Sequence, residues 1–311
     1  MSALKTVIQG HTAGSPVEPG KLWTNRSAAS IAEELNQYGI SLCANTVDLL
    51  LRKELKLPHH QIEKSLSMGE SQDRAAQFDR LIELRRKFLE KGRAVLSIDT
   101  KKKELLGLFH REGTARTNGQ VLAWDHDFPS SSWGKVIPYG VYDVGRNEGF
   151  MMLATGSDTG ELVADSLRRW WHRMGKWNYC PSEPILLLAD CGGSNGYRVS
   201  LFRERLWWLA NKLQLTFRIC HLPPYCSKYN PIDHRLFCHI TRSLKGMLLK
   251  NIEAMYEAVI HTTTSTGLKV IAEIARKIYL PKIKPKPEFL LDEPTKRDPE
   301  LAKYNYVIAP C

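Results

Sequence analysis

Three aspartates far apart in the sequence, Asp99, Asp190 and Asp233, are the residues best suited by type and context to do chemistry. Asp99 ends the apolar, β-rich run Ala94-Val95-Leu96-Ser97-Ile98, and Asp190 ends Ile185-Leu186-Leu187-Leu188-Ala189. Ligand sites in open α/β sheets gather at the carboxyl ends of strands. Two such ends on neighbouring strands face each other across about 5 Å. Carboxylates that close repel unless a hard cation such as Mg²⁺ or Mn²⁺ neutralises them. Taken singly, each residue also fits a plain strand end that solvates a turn.

Asp233 lies in Asn230-Pro231-Ile232-Asp233-His234-Arg235-Leu236-Phe237. Asn230 suits an N-cap and Pro231 the first helical position, which makes Asp233 the third helical residue. An acid there can ligate a metal. It equally completes a capping box and complements the helix dipole with no catalysis at all. If the three acids converge, two ions roughly 3.5–4 Å apart activate a water or a 3′-hydroxyl and stabilise the leaving oxygen of an in-line displacement at phosphorus.

Residues beside the acids are candidates for DNA contact: Lys101, Lys102 and Lys103 after Asp99, Asn195 after Asp190, and Lys228, His234 and Arg235 around Asp233. The lysine triplet also reads as an exposed turn. Gly192-Gly193-Ser194-Asn195-Gly196 lacks the Lys-Ser/Thr of a P-loop, so its expected role is to let backbone or DNA approach Asp190. Cys220, His221, Cys226, His234, Cys238 and His239 do not have zinc-knuckle spacing. His221 and His234 are instead expected near the metal site, on phosphate or orienting a carboxylate. Asp143, at the end of another strand, reads as structural, or else as a fourth acid near the site.

Positioning these residues falls to a mixed α/β sheet flanked by helices. The expected order is strands at 94–98 and 105–109 paired as a hairpin, a third strand Val136–Val144, and a helix Gly160–Met174 with Leu162, Val163, Ser166, Leu167 and Trp170 inward. A strand at 185–189, a helix to about Leu213, a strand Thr216–His221 and a last long helix from Pro231 follow. Residues 111–135, rich in Gly, Ser and Asp, read as an irregular insertion. Ahead of the sheet, Ala28, Ile31, Ala32 and Leu35 recur at helical spacing, Gly39 breaks the pattern, and Val47, Leu50 and Leu51 resume it. That is a helix-turn-helix plan, with Asn45, Thr46 and Arg52 on the DNA-reading helix, or else an ordinary helical hairpin. A longer helix from Ser71 to Glu90 carries Phe78, Leu81, Ile82 and Phe88 on one side. The domain expectation is therefore an arm at 1–24, a DNA-binding module at 25–70, a linker helix at 71–92, a catalytic domain at 93–268 and a basic extension at 269–311.

The net charge of +11 favours a polyanionic partner, because neutralising phosphates releases counterions. No apolar run approaches the roughly 18 residues that span a bilayer, and Met1-Ser-Ala-Leu-Lys-Thr is no signal peptide. A cytoplasmic protein with no membrane partner is expected, its seven cysteines free thiols.

Several blocks give the chain a family resemblance. Ser97-Ile98-Asp99-Thr100-Lys101-Lys102-Lys103-Glu104, Ile137-Pro138-Tyr139-Gly140-Val141-Tyr142-Asp143, Arg146-Asn147-Glu148-Gly149 and Arg168-Arg169-Trp170-Trp171 are four of them. Ala189-Asp190-Cys191-Gly192-Gly193-Ser194-Asn195-Gly196, Asn230 to Phe237, and Thr262-Thr263-Thr264-Ser265-Thr266-Gly267-Leu268 complete the set. In this order, from about Trp23 to Tyr279, they resemble the Rhodopirellula-type DDE transposases of bacterial insertion sequences. The resemblance implies a ribonuclease H-like core, Mg²⁺ dependence, and strand transfer at terminal inverted repeats into target DNA. It also implies a homo-oligomer assembled on DNA. Asp99 and Asp190 match the first two acids. The third in that family is glutamate, where this chain has Asp233, and family members carry more sequence ahead of the point where this chain starts. Both departures raise the alternative of a catalytically impaired remnant that only binds DNA. A ribonuclease H-like nuclease that hydrolyses without joining is a third reading.

Overall fold

Residue spacing in the first part of the chain yields a small helical unit. The computed structural model describes residues 2–9, 12–14, 22–60 and 72–311, which fall into two units, Met1–Leu66 and Ser67–Cys311. In the first unit, α1 (Ser2–Gln9) turns Leu4, Val7 and Ile8 inward, and β1 (Thr12–Gly14) pairs antiparallel with β2 (Leu22–Thr24). Ser27 caps α2 (Ala28–Gln37) by accepting from the Ser30 amide. Gly39, in the left-handed region at φ +73°, lets the chain turn toward α3 (Ala44–Lys53). Ile31, Ala32 and Leu35 of α2 and Val47 and Leu51 of α3 close one apolar cluster with α1. Residues 2–9 are thus a packed helix where a loose arm was expected. Gly10, Pro16, Pro19 and Gly20 of that arm, residues 61–70 of the expected DNA-binding module and Ser71 lie outside the described residues.

The second unit opens with α4 (Arg74–Glu90). Gln77, Leu81, Leu84 and Phe88 are its buried residues, whereas Ile82, expected inward, is exposed. The strands are β3 (Val95–Thr100), β4 (Glu104–Leu106), β5 (Gly134–Asp143), β6 (Glu148–Gly156), β7 (Ile185–Ala189), β8 (Phe217–His221), β9 (Lys269–Tyr279), β10 (Lys296–Arg297) and β11 (Asn305–Ile308). The helices are α5 (Gly160–Trp170), α6 (Lys176–Asn178), α7 (Ser200–Leu213), α8 (Cys238–Ser243), α9 (Ile252–Ile260) and α10 (Pro287–Leu291). The sheet order is β10-β11-β8-β7-β3-β5-β6-β9, with β4 on β5. β3, β7 and β8 run parallel, and β5 is antiparallel to β3 and to β6. This mixed sheet, with its first strand central and helices on both faces, has the ribonuclease H-like arrangement.

Three sequence expectations are corrected. The 105–109 run does not pair with β3; its short strand β4 pairs with β5. The expected order also omits β6, beside the Val136–Val144 strand that β5 bears out, because its Phe150-Met151-Met152-Leu153-Ala154 stretch is buried on both faces and so lacks the alternation that flags a strand. Residues 269–311 are no appended extension either. β9 lies parallel to β6, and β11 completes the opposite side of the sheet against β8.

The two faces carry different helices. Leu96, Ile98, Val141, Leu187 and Ile219 point to one face and pack with Leu162, Leu167 and Trp170 of α5 and Phe202, Leu206 and Leu209 of α7. On the other face, Val95, Leu186, Leu188 and Cys220 meet α4, while Tyr142, Met151 and Leu153 meet Ile232, Leu236, Phe237 and Ile240 with α9.

Candidate active site

β3 and β7 are in parallel register with Ile98 opposite Ala189. One step further, Asp99 lies alongside Asp190 at the carboxyl ends of adjacent strands. Side chains alternate along a strand, so Ser97, Asp99 and Asp190 share the face of Val95, Leu186 and Leu188. The Thr100 amide donates to Asp99 Oδ1 at 2.7 Å.

Asp233 approaches from that same face. Its helix begins at Pro231 and contains a π-helical turn, Asp233–Phe237, before running into α8. Wider turns of this kind recur at functional sites. Two bare positions in the sheet allow the helix to press down. A Cβ on Gly140 would come within 2.5 Å of the Phe237 ring and 2.7 Å of Ile232, and one on Gly149 within 2.6 Å of Leu236. Gly140 is the register partner of Asp99. Asn230, expected to cap through its side chain, instead uses Oδ1 to accept from the Ser97 hydroxyl, while its carbonyl accepts from the Asp233 amide at 3.1 Å. Among the described residues no hydrogen bond reaches the Asp233 carboxylate, which weakens the capping-box explanation for it.

A fourth acid joins the group. Asp158 lies two residues past the end of β6, and a Cβ on Gly193 would lie 4.0 Å from its Oδ2, just as one on Gly192 would lie 3.5 Å from Asp190 Oδ2. The glycine run therefore threads between two carboxylates. Sequence reasoning missed Asp158 because it missed β6; the available signal was an acid shortly after an apolar run, beyond Thr155-Gly156-Ser157.

Burial and mutual repulsion govern how these groups ionise. Burial first, then the nearby charges of Asp190, Asp233 and Asp158, push Asp99 up to about 8. Burial raises Asp190 to about 6 against the opposing hydrogen bond from the Gly192 amide, and Asp158 and Asp233 add to the rise. Asp233 is also raised, by burial. The donor set suits a hard divalent ion, because Asp190 Oδ1 and Asp158 Oδ1 are buried oxygens with no hydrogen-bond partner. As the side chains stand, however, no three His, Cys, Asp or Glu among the described residues are grouped closely enough to hold one ion. That holds for the cysteine and histidine cluster as well as for the acids.

A buried relay fixes the backbone at Asp190. His221, fully buried and lowered to about 4 by that burial, is neutral. Its Nδ1 is 2.9 Å from the Asp190 carbonyl and its Nε2 2.9 Å from Tyr306 Oη. A carbonyl only accepts, so Nδ1–H donates to it and the Tyr306 hydroxyl donates to Nε2. His221 was expected on phosphate or orienting a carboxylate; instead it bonds the Asp190 main-chain carbonyl and the hydroxyl of Tyr306 in β11.

The candidate DNA contacts divide. Lys101 is 6% exposed with Nζ 2.6 Å from Glu104 Oε1, and so is committed inside the protein. Asn195 is 1% exposed and accepts from Tyr139 Oη at 2.8 Å, forming the floor under the acids. Neither has a surface to offer DNA. Lys102, Lys103, Lys228, His234 and Arg235 are exposed, and the His234 ring donates to the Lys228 carbonyl. On α3, Asn45 and Arg52 are exposed and Thr46 half-buried, with Arg52 paired to Asp48 at 2.9 Å. A cavity of about 510 Å³ opens beside Asp233, lined by Thr100, Lys102, Arg111, Thr241 and Lys245 among others. Asp143 is structural: it accepts from the Gly145 and Arg146 amides and the Tyr179 hydroxyl.

The protein family described as Rhodopirellula transposase DDE domain matches residues 3–310. No curated protein matches the chain. Among solved structures, the Mos1 mariner paired end complex with Mn is similar at 14% identity and TM-score 0.42, over 75% of this chain and 65% of that one. The Mos1 strand transfer complex is similar at 15% identity and TM-score 0.44, over 82% of this chain and 68% of that one. The chain thus spans about 65% of the length of the first of these.

Proposed function

This chain belongs to the Rhodopirellula transposase DDE family, and from that membership we propose that it cuts and joins DNA at the ends of an insertion sequence, through a centre built on Asp99 and Asp190 and completed by Asp233. The pairing of two half-buried strand-end carboxylates, one with an unsatisfied oxygen, carries the reading. Mg²⁺ or Mn²⁺, as one or two ions, would supply the charge that activates an attacking hydroxyl or water and stabilises the leaving oxygen. The chain's own contribution is positional. Adjacent strands hold Asp99 and Asp190, the glycine run brings Asp158 near, and the helix seated on Gly140 and Gly149 carries Asp233. The exposed Lys102 and Lys103 beyond Asp99 would contact a phosphate backbone entering the site, and the exposed Asn45 and Arg52 of α3 would contact a groove. Terminal inverted repeats and target DNA are the partners, and holding two ends together calls for a homo-oligomer. No helix among the described residues is long and apolar enough to cross a membrane.

A second reading has a specific observation behind it: a remnant that binds DNA without cutting. As placed, no three acids share an ion, and aspartate at 233 reaches about 1.5 Å less far than the glutamate of the resembling family. Side-chain placement supports this second reading more directly; family and strand order support the first. Cleavage and strand transfer on terminal repeats with Mg²⁺ or Mn²⁺ decide between them. The first reading expects a parent chain that cuts and joins, with Asp99→Asn and Asp190→Asn reduced by at least about 100-fold. A parent that binds the repeats but cuts only as Asp233→Glu establishes the second. Activity surviving Asp99→Asn would remove this site from the reaction.

A further inference from the structure

Ser97 is fully buried in β3, a polar residue inside an otherwise apolar run, two positions before Asp99. The two side chains share a sheet face, about 7 Å apart along the strand. The Ser97 hydroxyl donates to Asn230 Oδ1 and accepts from the Ile232 amide at 3.0 Å. Asn230 is fully buried too, and its carbonyl takes the Asp233 amide. Strand and helix therefore meet at two levels: a hydroxyl joined to an amide and a main-chain N–H below, and the acids Asp99 and Asp233 above. The upper level is repulsive, since Asp233 contributes to the unfavourable field at Asp99. Apolar contacts of Ile232 and Phe237 over Gly140 press the helix onto the sheet but allow it to slide. A hydroxyl with one donor and one acceptor bond, both directional, does not.

We propose that Ser97 is a positioning residue whose hydroxyl, bonded to Asn230 and Ile232, fixes the offset at which Asp233 faces Asp99 and so sets how tightly the acids hold a divalent ion. This rests on the metal-dependent reading of the site.

The test uses Mn²⁺ binding to the full chain, measured by calorimetry without DNA, alongside thermal unfolding of each variant. Ser97→Ala should bind Mn²⁺ about 10- to 100-fold more weakly, the range seen when groups orienting metal ligands are removed. Ser97→Thr, which keeps the hydroxyl, should recover most of that affinity. A folded Ser97→Ala chain that binds like the parent overturns the proposal, and so does a Ser97→Thr chain that folds but binds no better than Ser97→Ala. If Ser97→Ala does not fold, Asn230→Ser, too short to reach Ser97, should show the same weakening, and parent-like binding there counts against the proposal equally. A parent that shows no binding lost in Asp99→Asn overturns the metal-site reading itself, and this inference with it. A parent that binds, beside an unaffected Ser97→Ala, sinks only the role of the serine.

Discussion

Replacing Asp99 with asparagine should make the metal-free protein more stable at neutral pH. In the folded chain Asp99 ionises only near about 8; in the unfolded chain it does so near about 3.9. Below the lower value both states hold the proton and the residue costs nothing. As pH rises through the window the unfolded state gives up its proton while the folded state cannot, and stability falls by about 1.4 kcal/mol per pH unit. The accumulated cost is about 1–2 kcal/mol at pH 5 and about 4 kcal/mol at pH 7. Asparagine does not ionise, has nearly the same shape, and still accepts from the Thr100 amide now bonded to Asp99 Oδ1. At about 2–4 °C per kcal/mol for a unit of this size, Asp99→Asn should melt on the order of 10 °C higher than the parent at pH 7 in chelator, and only a few degrees higher at pH 5. Buried Trp170 and Trp171 lie in the unit concerned, so near-ultraviolet circular dichroism follows the right transition. Adding Mn²⁺ should raise the melting temperature of the parent and leave the variant where it was. A variant less stable than the parent at pH 7, or a gap that does not grow between pH 5 and pH 7, would refute the claim that burial and repulsion strain this carboxyl.

Other perturbations probe the supports. Because His221 is neutral when folded and protonates only near about 4, its contribution is intact above about 6.5 and drains away as pH falls toward 4, at about 1.4 kcal/mol per unit; urea unfolding between pH 4 and 7 should show that loss, and a histidine that titrates normally in proton NMR would contradict it. Tyr306→Phe removes the donor to that ring and should cost about 1–3 kcal/mol by the same unfolding measurement. Gly140→Ala forces a methyl into the Phe237 ring and should cost about 1–3 kcal/mol, whereas Gly119→Ala, with open space around it, should be silent in thermal melts. In anisotropy titrations against salt, Lys102→Ala and Arg52→Ala should each lower the slope of DNA binding by about 1. Lys101→Ala should leave that slope alone, and a slope change there would mean the Glu104 pair does not hold.

Legibility in the sequence followed how local each signal was. Asp99 and Asp190 stood out because each ends a short, mostly apolar strand run, and α5 because its inward residues repeat at helical spacing. β6 escaped because both of its faces are buried, and Asp158 was lost with it. β9 looked like a basic tail since it borders the sheet and leaves Lys269, Arg276 and Lys277 in solvent. Asn195 and Lys101 looked like DNA contacts because polarity was taken for exposure; their partners, Tyr139 and Glu104, come from elements whose arrangement only the fold reveals. Ser97 was read as one more strand residue, its partner Asn230 lying far along the chain.

The seat of β11 beside β8 has a consequence for how the chain is made. A ribosome emits β8 long before β11, so until the later segment arrives the edge formed by Phe217–His221 stands open, its main-chain groups unpaired and ready to recruit another chain. Any copy cut short by a premature stop ahead of Asn305 would keep that raw edge permanently. Such products should be cleared or aggregate, and would seldom persist in soluble form.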